Sequence, residues 1–125
     1  MDRFFFVAGS LSAFLAVALG AFGAHGLKNR LTPEMLTIFE VGARYHIYHA
    51  FALLAVGLAL IRWPAASILA AGWLFLAGTV IFSGSLYMLS LTGIRWLGAI
   101  TPIGGVAFLL GWLFLAWGAL QGKTP

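Results

Sequence analysis

The sequence predicts an all-α integral membrane protein: a four-helix bundle of two helical hairpins, with an interfacial amphipathic segment ahead of the second span. Three observations predict it. Of 125 residues, 62% are hydrophobic and only 8% charged, against about 45–50% and about 25% in an ordinary soluble domain. Four apolar runs each approach the roughly 20 residues that a helix needs to cross about 30 Å of hydrocarbon. The seven Lys and Arg are scattered singly, at or near the ends of those runs, where cations meet lipid phosphates and leave the hydrocarbon free of charge. So few charges cannot solvate a soluble enzyme of 13.4 kDa. A disordered tail would be far more polar, and a disulfide-stapled module needs cysteine, of which there is none. The formal charge of +4 is not clustered into a stripe, so no nucleic-acid partner is expected.

The spans are expected at about residues 4–24, 45–61, 67–91 and 97–120, within one transmembrane domain covering residues 1–125. The first run follows Arg3 as a signal peptide would. It is too long for an h-region and no clean small-x-small site comes after it, so a retained span is expected. In the next joint, Thr32-Pro33-Glu34 reads as a helix start. Threonine caps free amides, proline suits the first helical position, and glutamate meets the positive end of the dipole. At 100° per residue, Glu34, Thr37, Glu40 and Arg44 then share one side. Met35, Ile38, Phe39, Gly42, Tyr45, His46 and His49 share the other, an amphipathic segment able to lie in the interface or dock on the bundle. Glu40 and Arg44 stand at i,i+4, worth about 0.3–0.5 kcal/mol if they pair when exposed.

Arg62-Trp63-Pro64 makes a tight turn between spans two and three. Thr92-Gly93-Ile94-Arg95-Trp96 joins three to four. Thr32-Pro33 and Thr101-Pro102 each precede the second helix of a hairpin, a faint parallel repeat rather than an inverted one. Arg3, Arg62 and Lys123 on one side nearly balance Lys28, Arg30, Arg44 and Arg95 on the other, so the positive-inside rule assigns no orientation.

In lipid, helices associate through close backbone approach rather than hydrophobic gain. Span one carries Ala8, Ser12, Ala16, Gly20 and Ala24 at every fourth position; span four carries Gly104, Ala107, Gly111 and Gly118. Ser12, Ala16, Gly20, Gly104 and Gly111 are therefore the expected packing positions, within one chain or between copies. The lipid bilayer and a second copy, or another membrane protein, are the expected partners.

No phosphate loop, dinucleotide fingerprint, nucleophile elbow or paired cysteine ligands occur, so no catalytic residue, metal or resident cofactor is assigned. Isolated polar groups in spans are costly and call for explanation. His25, Arg44, Tyr45 and His49, with His46, form the foremost cluster. Three imidazoles near one interface suit a metal, a haem on two helices or a proton relay. The plainer reading has each bonded to a carbonyl or headgroup. Thr79, Ser83, Tyr87 and Ser90 fall on one face of span three and, with Thr101, line either a small pocket or an interhelical seam of hydroxyl bonds. Trp63 and Trp96 read as interfacial belts.

The run Gly20-Ala21-Phe22-Gly23-Ala24-His25-Gly26-Leu27, then Phe39-Glu40, Ala43-Arg44-Tyr45 and His49-Ala50, resembles the first half of a known bacterial membrane family. Phe82-Ser83-Gly84-Ser85-Leu86-Tyr87, Ile100-Thr101-Pro102-Ile103-Gly104-Gly105 and Gly111-Trp112 resemble its second half. The family is described as domain of unknown function 423, or uncharacterised protein family 0382; animal transmembrane protein 256 looks similar. The resemblance implies a four-span bacterial inner-membrane protein and supplies no activity. It singles out the same blocks, and it implies glutamine in many members at position 46, which leaves His46 outside the expected site.

The leading expectation is thus a non-enzymatic membrane protein acting by helix association, as a homo-oligomer or an accessory subunit. The alternative is a solute or lipid transporter or channel with a polar site at the hairpin joints, formed by His25, Arg44, Tyr45, His49, Ser83, Tyr87 and Thr101. A third is a haem or quinone redox subunit resting on His25 and His49.

Overall fold

The computed structural model describes residues 1–122; Lys123, expected at a span end, lies outside them. Four helices are long and apolar enough to cross a membrane, and no strand occurs among the described residues. Helix α1 spans Asp2–His25 and α2 spans Pro33–Arg62. The third crossing is composite: α3 (Ala66–Gly78), a π-helical turn (Thr79–Ser83) and α4 (Gly84–Thr92). A short 3-10 turn, Arg95–Ala99, leads into α5 (Thr101–Gln121).

The start of α2 arises from its chemistry. The Thr32 hydroxyl accepts from the Met35 amide at 3.2 Å and Pro33 opens the helix, satisfying one of the orphan amides. The amphipathic segment and the second span form one unbroken helix of 30 residues, about 45 Å at 1.5 Å per residue. Its polar first turns therefore extend past the hydrocarbon. The other Thr-Pro pair behaves differently. Thr101 makes no cap at the start of α5; its hydroxyl meets Ser85 Oγ at 2.6 Å. The two halves share the hairpin but not the helix start. Glycine is required at the end of α4, where Gly93 has φ of 74° and its amide closes on Leu89, a left-handed cap that a side chain would strain.

Helix α1 packs along α2, and α5 along α3; α2 also lies against α3, the π turn and α4, and meets α5 through side chains more than through backbone. The core where the layers meet holds Phe5, Leu53, Val56, Ile68, Phe75 and Phe108. Aromatic rings fill the space that glycines leave: a Cβ on Gly72 would strike the Phe5 ring, and one on Gly111 the Phe75 ring. The backbones of α1 and α2 approach closely at Gly9, where a Cβ would stand 2.9 Å from both the Ala50 carbonyl oxygen and the Leu54 amide nitrogen, and at Gly57, where one would stand 2.9 Å from the Asp2 carbonyl oxygen. The buried line of α1 runs through Phe5, Gly9, Ala16 and Gly23. Ala24 is exposed, and a Cβ on Gly20 would meet nothing within 4 Å. At the other hairpin, a Cβ on Gly104 would collide with the backbone of Phe82.

Candidate functional site

The polar side chains inside the bundle sort into three groups, each set by the face its helix presents. The buried line of α2 includes Phe39, Gly42, His46 and His49, at helical spacing. His46 reaches both neighbours of α2. Its Nδ1 lies 2.9 Å from the Tyr87 hydroxyl on α4, and its Nε2 3.0 Å from Ser12 Oγ on α1. One imidazole thus ties three helices. Ser12 is ten residues from Asp2 and thirteen from His25 at the ends of α1, so this junction sits near the middle of a crossing rather than at its end, contrary to the expected interfacial grouping of histidines.

His49, one turn on, faces α5. Its Nδ1 is 2.7 Å from the Tyr45 carbonyl oxygen, and its Nε2 accepts from the Trp112 indole at 3.1 Å. A carbonyl only accepts and an indole N–H only donates, so the ring is neutral with its hydrogen on Nδ1. It stacks on Phe108 at 3.5 Å between centroids, 6° from parallel. Both nitrogens are engaged, which leaves none to ligate iron. His25 is exposed at the end of α1. No group of three His, Asp or Glu side chains suited to a metal occurs among the described residues.

The third group belongs to the composite crossing. Ser83, on the π turn, donates to the Gly42 carbonyl oxygen at 2.7 Å in a buried contact. Thr79 bonds back to Phe75 and Ser90 to Tyr87. The stripe expected from regular helical spacing is interrupted, because a π turn inserts an extra residue and re-aims the side chains beyond it. Ser83 and Tyr87 turn to α2, while Ser85 and Thr101 bridge to α5. No buried side-chain nitrogen or oxygen lacks a partner among the described residues.

The seven residues expected to share one polar site are therefore not brought together: five line three separate grooves, His25 is exposed at the end of α1, and Thr101 bonds Ser85. Tyr45 and His49 line an aromatic groove of about 480 Å³ with Phe82, Phe108 and Trp112. Ser83 and Tyr87 line another, with Ser12 and His46, between α1 and the third crossing. Arg44 faces away from the Tyr45 groove, in one of about 310 Å³ lined by Ala16, Val17, Gly20, Ala43 and Ile47 together with Glu40. The reason is angular: consecutive helical residues diverge by 100°. Arg44 and Glu40 do not pair. The ion pairs within 4.0 Å among the described residues are Arg95 with Glu34, at 3.0 Å, and the N-terminus with Asp2.

Sequence reasoning sets His46 aside, although it bonds two other helices. The signal for it is its register on the same face as Phe39, Gly42 and His49. Gly9 and Gly23 also escape the sequence reading, because small-residue spacing at every fourth position fits more than one line on the same helix.

Comparison with known proteins agrees with this architecture. A family model described as "Protein of unknown function (DUF423)" matches residues 19–105. The chain is 46% identical over 120 residues to the UPF0382 membrane protein YwdK of Bacillus subtilis, covering 95% of this chain and 98% of that one. It is 47% identical over 119 residues to a UPF0382 membrane protein of Staphylococcus saprophyticus, covering 95% and 98%. No solved structure matches the chain.

Proposed function

We propose a function for a chain that belongs to the DUF423 family of membrane proteins, and it is non-enzymatic: a small protein of the bacterial inner membrane that acts by lateral association, first with copies of itself. The observation that carries this reading is the groove between α1 and α2. It is lined by the small residues Ala16, Gly20 and Ala43 beside Val17 and Ile47, and at Gly20, where a Cβ would meet nothing within 4 Å, another helix can approach closely. Its rim bears Glu40 and Arg44, opposite charges one turn apart with no ion-pair partner in their own chain among the described residues. A two-fold pairing brings Glu40 of one copy to Arg44 of the other and the reverse, as a self-complementary interface requires. The engaged nitrogens of His46 and His49 support the same conclusion. Neither of these two rings keeps a free nitrogen to serve as base or ligand, and both fix the hairpins instead.

The test is a charge swap read by cross-linking between copies in native membranes. Arg44→Glu sets like charges against each other and is expected to reduce the dimer at least fivefold. Adding Glu40→Arg restores the opposite pair and the dimer. A dimer indifferent to Arg44→Glu, or a double variant that stays monomeric while folded, contradicts the reading.

A further inference from the structure

The junction of His46, Ser12 and Tyr87 carries an uneven count of hydrogens. Neutral imidazole offers one N–H and one bare nitrogen, and each hydroxyl offers one hydrogen and can accept. If Nε2 carries the hydrogen, it donates to Ser12, Tyr87 donates to Nδ1, and the Ser12 hydrogen is left over. If Nδ1 carries it, it donates to Tyr87, Ser12 donates to Nε2, and the Tyr87 hydrogen is left over. Either tautomer leaves one hydroxyl hydrogen without an acceptor, because neither oxygen makes another hydrogen bond among the described residues. Water is absent from the bilayer core, so an unmade bond there is costly.

Both hydroxyl-bearing residues line the same groove between α1 and the third crossing, with His46, Thr79, Ser83 and Gly84. The Thr79 and Ser83 hydroxyl hydrogens are spent on the Phe75 and Gly42 carbonyls, so the spare donor is the groove's distinguishing polar feature. The groove measures about 410 Å³, within the range of small-molecule sites, and its remaining walls are apolar. Its depth selects the ligand. Ser12 is roughly 12 Å in from residue 4 and about 18 Å from residue 24, at 1.5 Å per residue. Ester carbonyls of phospholipids stay at the edge of the hydrocarbon. Tyr87 is rooted only about 8 Å from the Thr92 end of α4, so it is the deeper Ser12 donor that only a molecule apolar enough to enter the core can reach.

We propose that this groove binds one lipophilic ring-carbonyl compound of the quinone class, whose carbonyl oxygen accepts the hydrogen bond that Ser12 and Tyr87 leave unmade. The inference stands apart from self-association, which uses the other side of α1. The ring would lie against Leu76 and Val80, and the tail would run out between α1 and the third crossing into lipid. Exchange between the two tautomers moves the spare donor from α1 to α4, so the site accommodates a carbonyl near either residue.

The experiment uses the whole protein in nanodiscs, titrated with a short-chain alkyl 1,4-naphthoquinone labelled with carbon-13 at its carbonyls. The expected result is saturable binding at one per chain, with the carbonyl stretch of the bound probe moved to lower frequency. An alkylnaphthalene of the same shape without carbonyls should not compete. Gly84→Leu places a side chain in the groove, where a Cβ meets nothing within 4 Å, and is expected to weaken binding at least tenfold. Ala59→Leu, in a separate groove between α2 and α5, should leave it unchanged. Absent saturation, displacement by the hydrocarbon, an unshifted band or indifference to Gly84→Leu in folded protein each overturns the proposal.

Discussion

His46 holds three helices by two hydrogen bonds, and its removal leaves two hydroxyls facing lipid with fewer partners. Interhelical bonds in membranes average about 0.6 kcal/mol and reach about 1.7, and truncating the ring adds a cavity. His46→Ala is therefore expected to cost about 2–3 kcal/mol in reversible unfolding from mixed micelles. His46→Gln, which keeps a donor and an acceptor on a side chain of similar length, should cost under about 1 kcal/mol. Equal losses would mean that the ring's packing, not its bonds, fixes the junction. Much of this residue-level picture is hidden from the sequence. The face of α2 is legible from periodicity, so the burial of Phe39, Gly42, His46 and His49 comes from spacing alone. The partners are not, because Ser12 and Tyr87 are 34 and 41 positions away from His46, and only the way helices are laid side by side makes them neighbours.

At the scale of helices, glycine has two separate uses on α1. Gly9 lets the backbones of α1 and α2 meet, so Gly9→Leu forces them apart, at about 1–3 kcal/mol or more for overpacking. Gly20 stands over open space. Gly20→Leu should unfold no more easily than the parent, yet lose association between copies. Thermal unfolding and cross-linking, run on both variants, separate the roles; a Gly20→Leu protein that fails to fold contradicts them. The spans themselves are legible because about 20 consecutive apolar residues are an unambiguous signal. The start of α2 at Thr32 is too, because capping is local chemistry. The π turn at Thr79–Ser83 is not legible. Nothing in Thr-Val-Ile-Phe-Ser forbids an α-helix, and the turn accompanies two tertiary contacts: the Ser83 bond to Gly42 and the close passage of Gly104 past Phe82.

Across the whole molecule, the charges divide into those that join and those that wait. Arg95 and Glu34 tie the joint between α4 and α5 to the start of α2 from an exposed position, where solvent screening leaves such a pair little weight. Arg95→Gln should accordingly leave the unfolding midpoint essentially unchanged, and a clear loss would show the contact to be a structural clamp. Glu40 and Arg44 remain unpaired beside a floor of small residues, and α1 is buried along a single narrow line. On the proposed reading, a molecule whose buried histidines are engaged on both nitrogens and whose outer groove is open acts through the surfaces it touches. Native mass spectrometry of the protein released from its own membranes into nanodiscs tests that most directly. The expected mass is a multiple of 13.4 kDa, reduced to the single chain by Arg44→Glu. A single chain from native membranes, with no second copy at any protein concentration, would contradict it.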